Sequence, residues 1–431
     1  MWGKRSLFVW GLCGLFMGLS ILLQAGTALA QDTIKIGAVL PLSKAAFAQA
    51  GEEQRRGLLM ALEEINQAGG VLGKKLDLII EDDTGEPSVG IAAAEKLLTR
   101  DKVVALIGGY SSTITYAQLN AIQRLEPFVA WVGASSTKVE HEFGAKRWFF
   151  HYHPWDYHRQ STIRDFLLSL SPRPKTVAIA YEDGIYGTTS RDYAVKYLKE
   201  KGIEIVFDER FKSGSSDFTP MLTKIKKANP EIFYWVAYAG DTTLLMKQAK
   251  EIDFNPKLFL SVAINFPQYK ASLGATGDYV AGVDVWIPGM KLPETVKWME
   301  KFNKAYPGRT PEYWAPLAYC NLMTVVEAIK RAGSTDKEKL IAAMEKTDYN
   351  SPMGKMTFKK SEEGGLHQAI DEQIITQWQS GVSYVVYPAS KATGKLIYPT
   401  PDWKKRSFIF FNSPSPHLSP SWARGEEREG A

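Results

Sequence analysis

The sequence predicts an α/β protein of two Rossmann-like lobes, each built on a parallel sheet covered by helices. From residue 34 onward, short apolar runs rich in β-branched residues alternate with amphipathic stretches of helical period. This alternation runs to residue 132 and restarts at residue 177, which indicates two units rather than one large sheet. The 431 residues, of which 45% are hydrophobic and 23% charged, suffice for two or three globular domains.

The first unit begins with a predicted strand over 34–40, which ends before Pro41. A predicted helix over 52–68 follows and ends at Gly69-Gly70. The pattern continues with strands at 76–80, 103–107 and 128–132 and with helices at 89–100 and 114–125. Strands that alternate with helices of this length imply right-handed crossovers, and hence a mostly parallel sheet covered on both faces.

The second unit repeats this order. Its predicted strands cover 177–181, 203–207, 232–236 and 258–262, and its predicted helices cover 188–201, 217–228 and 241–252. The carboxyl third is more helical, with predicted helices at 293–306, 315–332 and 336–347. These helices have no sheet of their own, so they have to pack on one of the two lobes.

Residues 1–30 differ from the rest of the chain. Lys4 and Arg5 are their only charges, an apolar stretch covers 7–23, and Ala28-Leu29-Ala30 ends the segment. This order is typical of a secretory signal peptide, and we expect cleavage before Gln31. The alternative is an uncleaved membrane anchor, since the apolar stretch approaches the length of a bilayer span.

Cysteine and charge content exclude two classes of protein. The two cysteines cannot form a disulfide framework, and Cys13 lies in the predicted signal peptide. The other, Cys320, lies in an apolar helical segment and is predicted to be a core residue. The 52 basic and 47 acidic residues give a net charge of +5, too even a balance for a dedicated nucleic-acid binder.

The carboxyl end breaks the α/β pattern. Residues 402–431 contain repeated Ser-Pro pairs and the charged run 426–429. This composition predicts a disordered tail. The apolar run 408–411 offers the alternative of a segment docked on a lobe.

Enzyme motifs are scarce. The sequence has no Gly-x-Gly-x-x-Gly after a strand and no phosphate-binding loop, and Thr113 stands where a Gly-x-Ser-x-Gly turn needs its last glycine. The segment 151–158 carries three histidines and Asp156, which could hold a metal in a secreted enzyme. Pro154 would interrupt a strand there, and the spacing is loose. We therefore expect neither a metal nor a cofactor, and no enzyme.

Two loops at the carboxyl ends of predicted strands form a candidate ligand site. Residues 108–113 (Gly-Gly-Tyr-Ser-Ser-Thr) follow the third strand and open a helix, and residues 133–137 (Gly-Ala-Ser-Ser-Thr) follow the fourth. Ligands of open parallel sheets bind beyond these strand ends. Free N–H groups, hydroxyls and a helix amino terminus suit a carboxylate. The alternative is that both loops are ordinary Ser/Thr helix caps.

Several segments together resemble one known family. They are 36–43, 61–76, 183–187, 328–334 and 354–358. The set resembles the leucine/isoleucine/valine (branched-chain amino acid)-binding family of type I periplasmic solute-binding proteins, which serve ABC transporters. The resemblance covers about residues 33–400, although each motif alone would be weak.

The resemblance implies a periplasmic clamp of two lobes joined by three hinge strands. Lobe 1 would comprise 32–155 plus 286–360, and lobe 2 would comprise 156–285 plus 361–400. The clamp would close on a small carboxylate-bearing solute and deliver it to ABC permease subunits in the inner membrane. A membrane-anchored ligand-sensing ectodomain of the same fold is the alternative function.

The resemblance also implies ligand-binding residues. They are Ser112, Gly133 and Ser135 for a carboxylate, Asp156 for an α-ammonium, and the aromatic residues Tyr186 and Tyr238. The family's second ammonium-binding acid is expected near 261–265, where this chain has Ala263 and no acid. A buried ammonium that loses a charged partner loses about 2–5 kcal/mol. We therefore predict an aromatic or other organic acid as the ligand rather than leucine.

Overall fold

The computed structural model describes residues 33–406, and its first sheet is parallel throughout. The sheet has the strand order β2-β1-β3-β4-β5. Its strands are β1 (Thr33–Leu40), β2 (Lys75–Asp82), β3 (Ala105–Gly108), β4 (Val129–Trp131) and β5 (Phe149–His151). The helices that connect them are α1 (Ala48–Gln67), α2 (Pro87–Thr99), α3 (Ser112–Ile122) and α4 (Thr137–Phe143).

The second sheet has seven strands in the order β14-β13-β10-β9-β8-β6-β7. Its parallel strands are β6 (Thr176–Glu182), β7 (Glu204–Phe211), β8 (Ile232–Val236), β9 (Leu258–Ser261) and β10 (Ala281–Asp284). The antiparallel strands β13 (Ile374–Gln379) and β14 (Val382–Tyr387) extend one edge. Its helices are α5 (Asp156–Ser169), α6 (Ile185–Glu200), α7 (Thr219–Ala228), α8 (Ala239–Glu251) and α9 (Pro267–Leu273).

The carboxyl third packs on the first sheet. It contributes α10 (Pro293–Ala305), α11 (Trp314–Ala332), α12 (Lys337–Met344) and the hairpin β11 (Asp348–Ser351) with β12 (Gly354–Thr357). One buried hydrophobic cluster joins these helices to β1–β5, and Cys320 is buried within it. Helices α1 and α11 cross closely, since a Cβ on Gly57 would lie 1.9 Å from the carbonyl oxygen of Ala315.

The chain crosses between the lobes three times. The first crossing follows β5 and the second follows β10. In the third segment, the N–H groups of Ala369 and Ile370 still donate to the carbonyls of His151 and Tyr152 on the first lobe. The crossing therefore lies between Ile370 and β13, later than the boundary placed after residue 360. The hydrogen bonds along β5 are the physical reason for this shift.

The predicted α/β class is confirmed, and most predicted elements coincide with observed ones within a few residues. Three regions are exceptions, because α4, β5 and α5 between residues 133 and 176, α9 and β10 between 263 and 292, and the strands β11–β14 after residue 347 were not predicted. The first turns of helix α5 bury polar and charged residues such as Asp156, Arg159 and Gln160, so the apolar stripe begins only at Ile163 and is too short to mark the whole helix.

The ordered chain extends past the predicted tail boundary at residue 402. The short helix α13 (Trp403–Arg406) packs on the second lobe, where Arg406 Nη1 lies 2.9 Å from the carbonyl oxygen of Asp278. The Arg406 guanidinium also lies 3.6 Å from the centroid of the Trp403 ring. The rest of the predicted tail and the predicted signal peptide lie outside the described residues.

Candidate ligand-binding cleft

A cleft lies between the two lobes. Its lining residues follow the carboxyl ends of strands in both sheets, as Tyr110 follows β3, Ser135 follows β4, Tyr238 follows β8 and Asp284 ends β10. Ligand sites of open parallel sheets lie at these ends. The cleft is therefore the candidate functional site.

Four of the six predicted site residues line this cleft, namely Ser112, Ser135, Tyr186 and Tyr238. Gly133 lies beside it. A Cβ on Gly133 would lie 2.5 Å from the carbonyl oxygen of Gly109, so this glycine allows the two strand-end loops to approach closely. The carbonyl oxygen of Gly133 lies 2.8 Å from Nε2 of His151, within the protein interior.

Asp156 is also absent from the cleft wall. It is fully buried, and its carboxylate accepts hydrogen bonds from Arg159 Nη1 at 3.0 Å and from the hydroxyls of Ser190 and Thr189. The group that faces the cleft here is the guanidinium of Arg159. The predicted role of Asp156 as an acid facing an ammonium does not fit this geometry.

Arg159 is the main functional candidate that the sequence reasoning missed. It is 3% exposed, and its Nη2 lies 2.8 Å from Oγ of Ser135. Its guanidinium lies 5.3 Å from the ring centroid of Tyr186. The spacing of Asp156 and Arg159, three residues apart at a helix start, was the available signal.

The Asp156–Arg159 pair is held in a protein interior that disfavours charge. Burial raises the pKa of Asp156 to about 6, although the nearby Arg159 charge opposes the rise. Burial acts against the Arg159 charge as well, but the neighbouring Tyr186 and Asp156 outweigh it and raise the pKa of Arg159. At neutral pH the pair is therefore ionised, and a fixed cation faces the cleft.

Aromatic rings from both lobes meet across the cleft. Phe47 and Tyr110 belong to the first lobe, and Tyr186 and Tyr238 belong to the second. The ring centroids of Phe47 and Tyr238 are 4.5 Å apart, and those of Tyr110 and Tyr238 are 5.7 Å apart. The centroids of Tyr186 and Tyr238 are 5.3 Å apart. These rings contact one another and form one apolar cluster, whose exposed side suits packing against a flat apolar body.

Three helices begin at the cleft. Their N-cap residues are Ser111 for α3, Gly184 for α6 and Tyr238 for α8, and none of the three provides a side-chain cap. The first N–H groups of such helices have no intrahelical partners, and they favour an anion. At α6 the carboxylate of Glu182 already fills this role, because it accepts from the N–H groups of Gly184 and Gly187 at 2.8 and 2.7 Å. The second loop is different, because Ser136 Oγ caps α4 by accepting from the N–H of Lys138. The helix-cap alternative therefore holds for one loop and not for the other.

Acids line another part of the cleft that the sequence reasoning did not identify. Asp284 is buried, and Glu312 is partly buried. Burial raises the pKa of Asp284 to about 6. Burial and the nearby acids Glu53 and Asp284 raise the pKa of Glu312 well above its usual range. No local pattern marks these two residues, since they lie in segments far apart in the chain.

The histidines of 151–158 are engaged by the protein. His151 Nδ1 lies 3.1 Å from Gln368 Oε1, His153 Nε2 lies 3.2 Å from the Tyr313 hydroxyl, and His158 Nδ1 accepts from the N–H of Trp155. Burial lowers the pKa of His151 and His158 to about 4. Within residues 33–406, no group of three or more His, Cys, Asp or Glu side chains is placed to hold a metal. The metal hypothesis therefore has no support in this part of the chain.

Two α/β lobes that enclose a cleft at their strand ends, with three chain crossings between them, define a two-lobed solute-binding protein. The chain belongs to the family described as periplasmic binding proteins, whose sequence profile matches residues 33–382. The family resemblance predicted from the sequence is confirmed.

Relatives and solved structures agree with this assignment. The leucine-, isoleucine-, valine-, threonine- and alanine-binding protein of Pseudomonas aeruginosa is 27% identical over 354 residues, which cover 82% of this chain and 92% of the relative. LivJ of Streptococcus pneumoniae, solved with isoleucine, has a TM-score of 0.71 at 20% identity and covers 85% of this chain and 100% of its own. An ABC-transporter solute-binding protein of R. palustris, solved with benzoate, has a TM-score of 0.74 at 19% identity. The match covers 86% of this chain and 99% of the R. palustris chain.

These comparisons define the protein's general class. The relatives are named as binding proteins rather than enzymes, and the two solved structures are named as transporter substrate-binding or solute-binding proteins. Family membership implies an extracytoplasmic location. Among the described residues, no helix combines the length and the apolar character needed to cross a bilayer.

Proposed function

We propose that this protein is the periplasmic solute-binding component of an ABC importer, and that it closes its lobes on a small aromatic carboxylate. The observation that carries the proposal is a buried guanidinium, that of Arg159, which faces a cleft walled by aromatic rings. A carboxylate would satisfy the guanidinium, and a flat ring would pack against the aromatic cluster that lines the cleft.

Some N–H donors of Arg159 are not used by the protein. A guanidinium carries five N–H donors. Nη1 donates to Asp156 and Ser190, and Nη2 donates to Ser135. Within residues 33–406, Nε makes no hydrogen bond. The hydroxyl of Ser112 and the first N–H groups of α3 add further donors for the same carboxylate.

The chemistry near Arg159 disfavours an α-amino acid. An α-ammonium lies next to its own carboxylate, so it needs an acid close to the carboxylate-binding donors. Asp156 is occupied by Arg159, Ser190 and Thr189, and Ala263 stands where the resemblance places a second acid. An ammonium buried beside Arg159 would be unpaired, which is costly.

The neighbours show that this fold accommodates both ligand types. One was solved with isoleucine and another with benzoate. A fold of this kind is thus compatible with either ligand, and the residues around Arg159 favour the aromatic acid.

Calorimetry with benzoate, leucine and valine tests the proposal. We expect benzoate to bind and both amino acids to bind at least about tenfold more weakly. The reason is that the α-ammonium of an amino acid would lose one charged hydrogen-bond partner on binding. Tight binding of leucine together with no binding of benzoate would contradict the proposal. Glu338→Gln, a change of an exposed acid, is the matched control and should leave every affinity unchanged.

Delivery to permease subunits requires a protein that is free to diffuse, whereas a sensing ectodomain would keep residues 7–23 as an anchor. The mass of the protein recovered from the periplasm separates these alternatives. A mature chain that starts at Gln31 supports the importer component. A chain that retains residues 1–30 and stays with the membrane supports the sensor.

A further inference from the structure

A second group of polar side chains lines the cleft, and it includes two carboxyl groups and a buried amide oxygen that has no hydrogen-bond donor. We call Asp284, Glu312 and Gln373 the acceptor pole. We propose that this pole binds a hydrogen-bond donor at the end of the ligand opposite its carboxylate, either a phenolic hydroxyl or a protonated amine. The inference rests on the proposed function, because it takes the carboxylate to be bound at Arg159.

Asp284 is fixed in position by the protein. Its Oδ1 accepts from the N–H groups of Val285 at 2.7 Å and Trp286 at 3.2 Å, and its Oδ2 accepts from Asn265 Nδ2 at 2.9 Å. Asn265 also donates to the Thr376 hydroxyl at 2.7 Å. Both N–H groups of the Asn265 amide are therefore in use, and Asn265 cannot also donate to Glu312.

The other two members have no such partners. Oε1 of Gln373 is buried without a hydrogen bond, and this residue is only 8% exposed. Within the part of the chain that the structure describes, the Glu312 carboxylate likewise accepts no hydrogen bond. A buried acceptor without a donor is destabilising, so this pole lacks a donor that a ligand could supply.

The charged groups around Glu312 also indicate that it lacks a partner. The charged groups that act on it most strongly are Glu53 and Asp284, both of which are acids. Glu53 is paired with Arg56, while Glu312 has no ion-pair partner among the described residues. Perturbed carboxyl groups gathered in a cleft are typical of a functional site.

The acceptor pole and the Arg159 pole belong to different parts of the fold. Arg159 lies on α5, whereas Asp284 and Gln373 lie at the second and third crossings between the lobes. Tyr110 and Tyr186 line the cleft together with both poles. A ligand that fits all three features has a carboxylate, an aromatic body and a distal donor.

Four probes test this arrangement by calorimetry: benzoate, 4-hydroxybenzoate, 4-(aminomethyl)benzoate and terephthalate. We expect at least one donor-bearing probe to bind about tenfold or more tightly than benzoate, and terephthalate to bind more weakly than benzoate, because its second carboxylate would face acids. The hydroxyl and amine probes distinguish the two kinds of donor. Binding of benzoate as tight as that of both donor-bearing probes would overturn the inference while leaving the proposed function intact. No binding of any probe would overturn both.

Glu312→Gln tests the pole directly, since it keeps the size of the side chain and adds a donor. The preference for the donor-bearing probe over benzoate should fall about tenfold, and the affinity for benzoate itself should not change. An equal loss for all probes would indicate a merely structural residue and would overturn the inference. Gln373→Met, which removes the buried oxygen at similar length, should reduce the same preference. Glu338→Gln, outside the cleft, should not.

Discussion

Nη2 of Arg159 on the second lobe lies 2.8 Å from Oγ of Ser135 on the first lobe. One buried side chain thus links the two lobes and also faces the cleft between them. Because the same guanidinium is paired with Asp156, its position is determined before any ligand arrives. Such preorganisation lowers the entropy that ligand binding would otherwise cost.

Arg159→Lys should weaken benzoate binding about tenfold or more. Lysine keeps the charge but cannot serve Asp156, Ser135 and a carboxylate with one planar fork. Calorimetry gives the affinity. Arg191→Lys changes an arginine that pairs with Asp208 on the surface of the second lobe, and it should bind benzoate as the unaltered protein does. Equal affinities for the unaltered protein and Arg159→Lys would place the carboxylate elsewhere.

Asp156→Ala should destabilise the protein by about 3–5 kcal/mol, because it leaves a buried guanidinium without its counter-charge. Denaturant unfolding measures the change. Asp165→Ala breaks a partly exposed pair with Arg164 and should cost about 1 kcal/mol or less. If Asp156→Ala kept full stability and only lost ligand affinity, Asp156 would be a ligand-binding acid after all.

Tyr186→Ala should weaken benzoate binding and leave the fold intact, because it removes a cleft wall. Tyr197→Ala is the matched control. Arg164 lies 5.3 Å from the Tyr197 ring centroid, the same distance that separates Arg159 from Tyr186, but Tyr197 does not line the cleft. Equal effects of the two changes on affinity would contradict the placement of the ring site.

Ser112→Ala should also lower benzoate affinity without a loss of stability. Its hydroxyl lines the cleft at the start of α3, where the helix N–H groups lack a side-chain cap. The loss of one hydrogen bond to a charged ligand is about 1.5–3 kcal/mol. Calorimetry and thermal unfolding measure the two properties. Unchanged affinity in both Ser112→Ala and Tyr186→Ala would refute the proposed position of the ligand.

Benzoate affinity should rise as the pH falls from 7 toward 6. Burial raises the pKa of Asp156 and of Asp284 to about 6, so both begin to take up protons in this range. Each proton removes a negative charge near the bound anion, and by linkage the binding of the anion takes up protons. Calorimetry at both pH values in buffers of different ionisation enthalpy checks the sign. Proton release on binding would contradict this prediction.

The sequence by itself determined the two α/β lobes, because alternating strands and helices leave local apolar periods that need no tertiary information. It also determined the strand-end loops that carry Ser112 and Ser135, since chain order alone places a loop after each strand. The resemblance further led to the expectation that Ala263 replaces a family acid, and this stays a prediction.

Only the tertiary structure decided which charges face the cleft. Asp156 and Arg159 both lie in the first turns of the same helix. The Asp156 carboxylate points into the protein interior, whereas the Arg159 side chain lines the cleft. Glu312 and Gln373 lie far from Arg159 in the chain. They line the same cleft as Arg159 only because of the way the chain folds. Helix α5 escaped prediction for a related reason. Its first turns bury polar side chains, and Arg159 and Gln160 donate there to Ser135 and Tyr234, partners far away in the chain that no local pattern reveals.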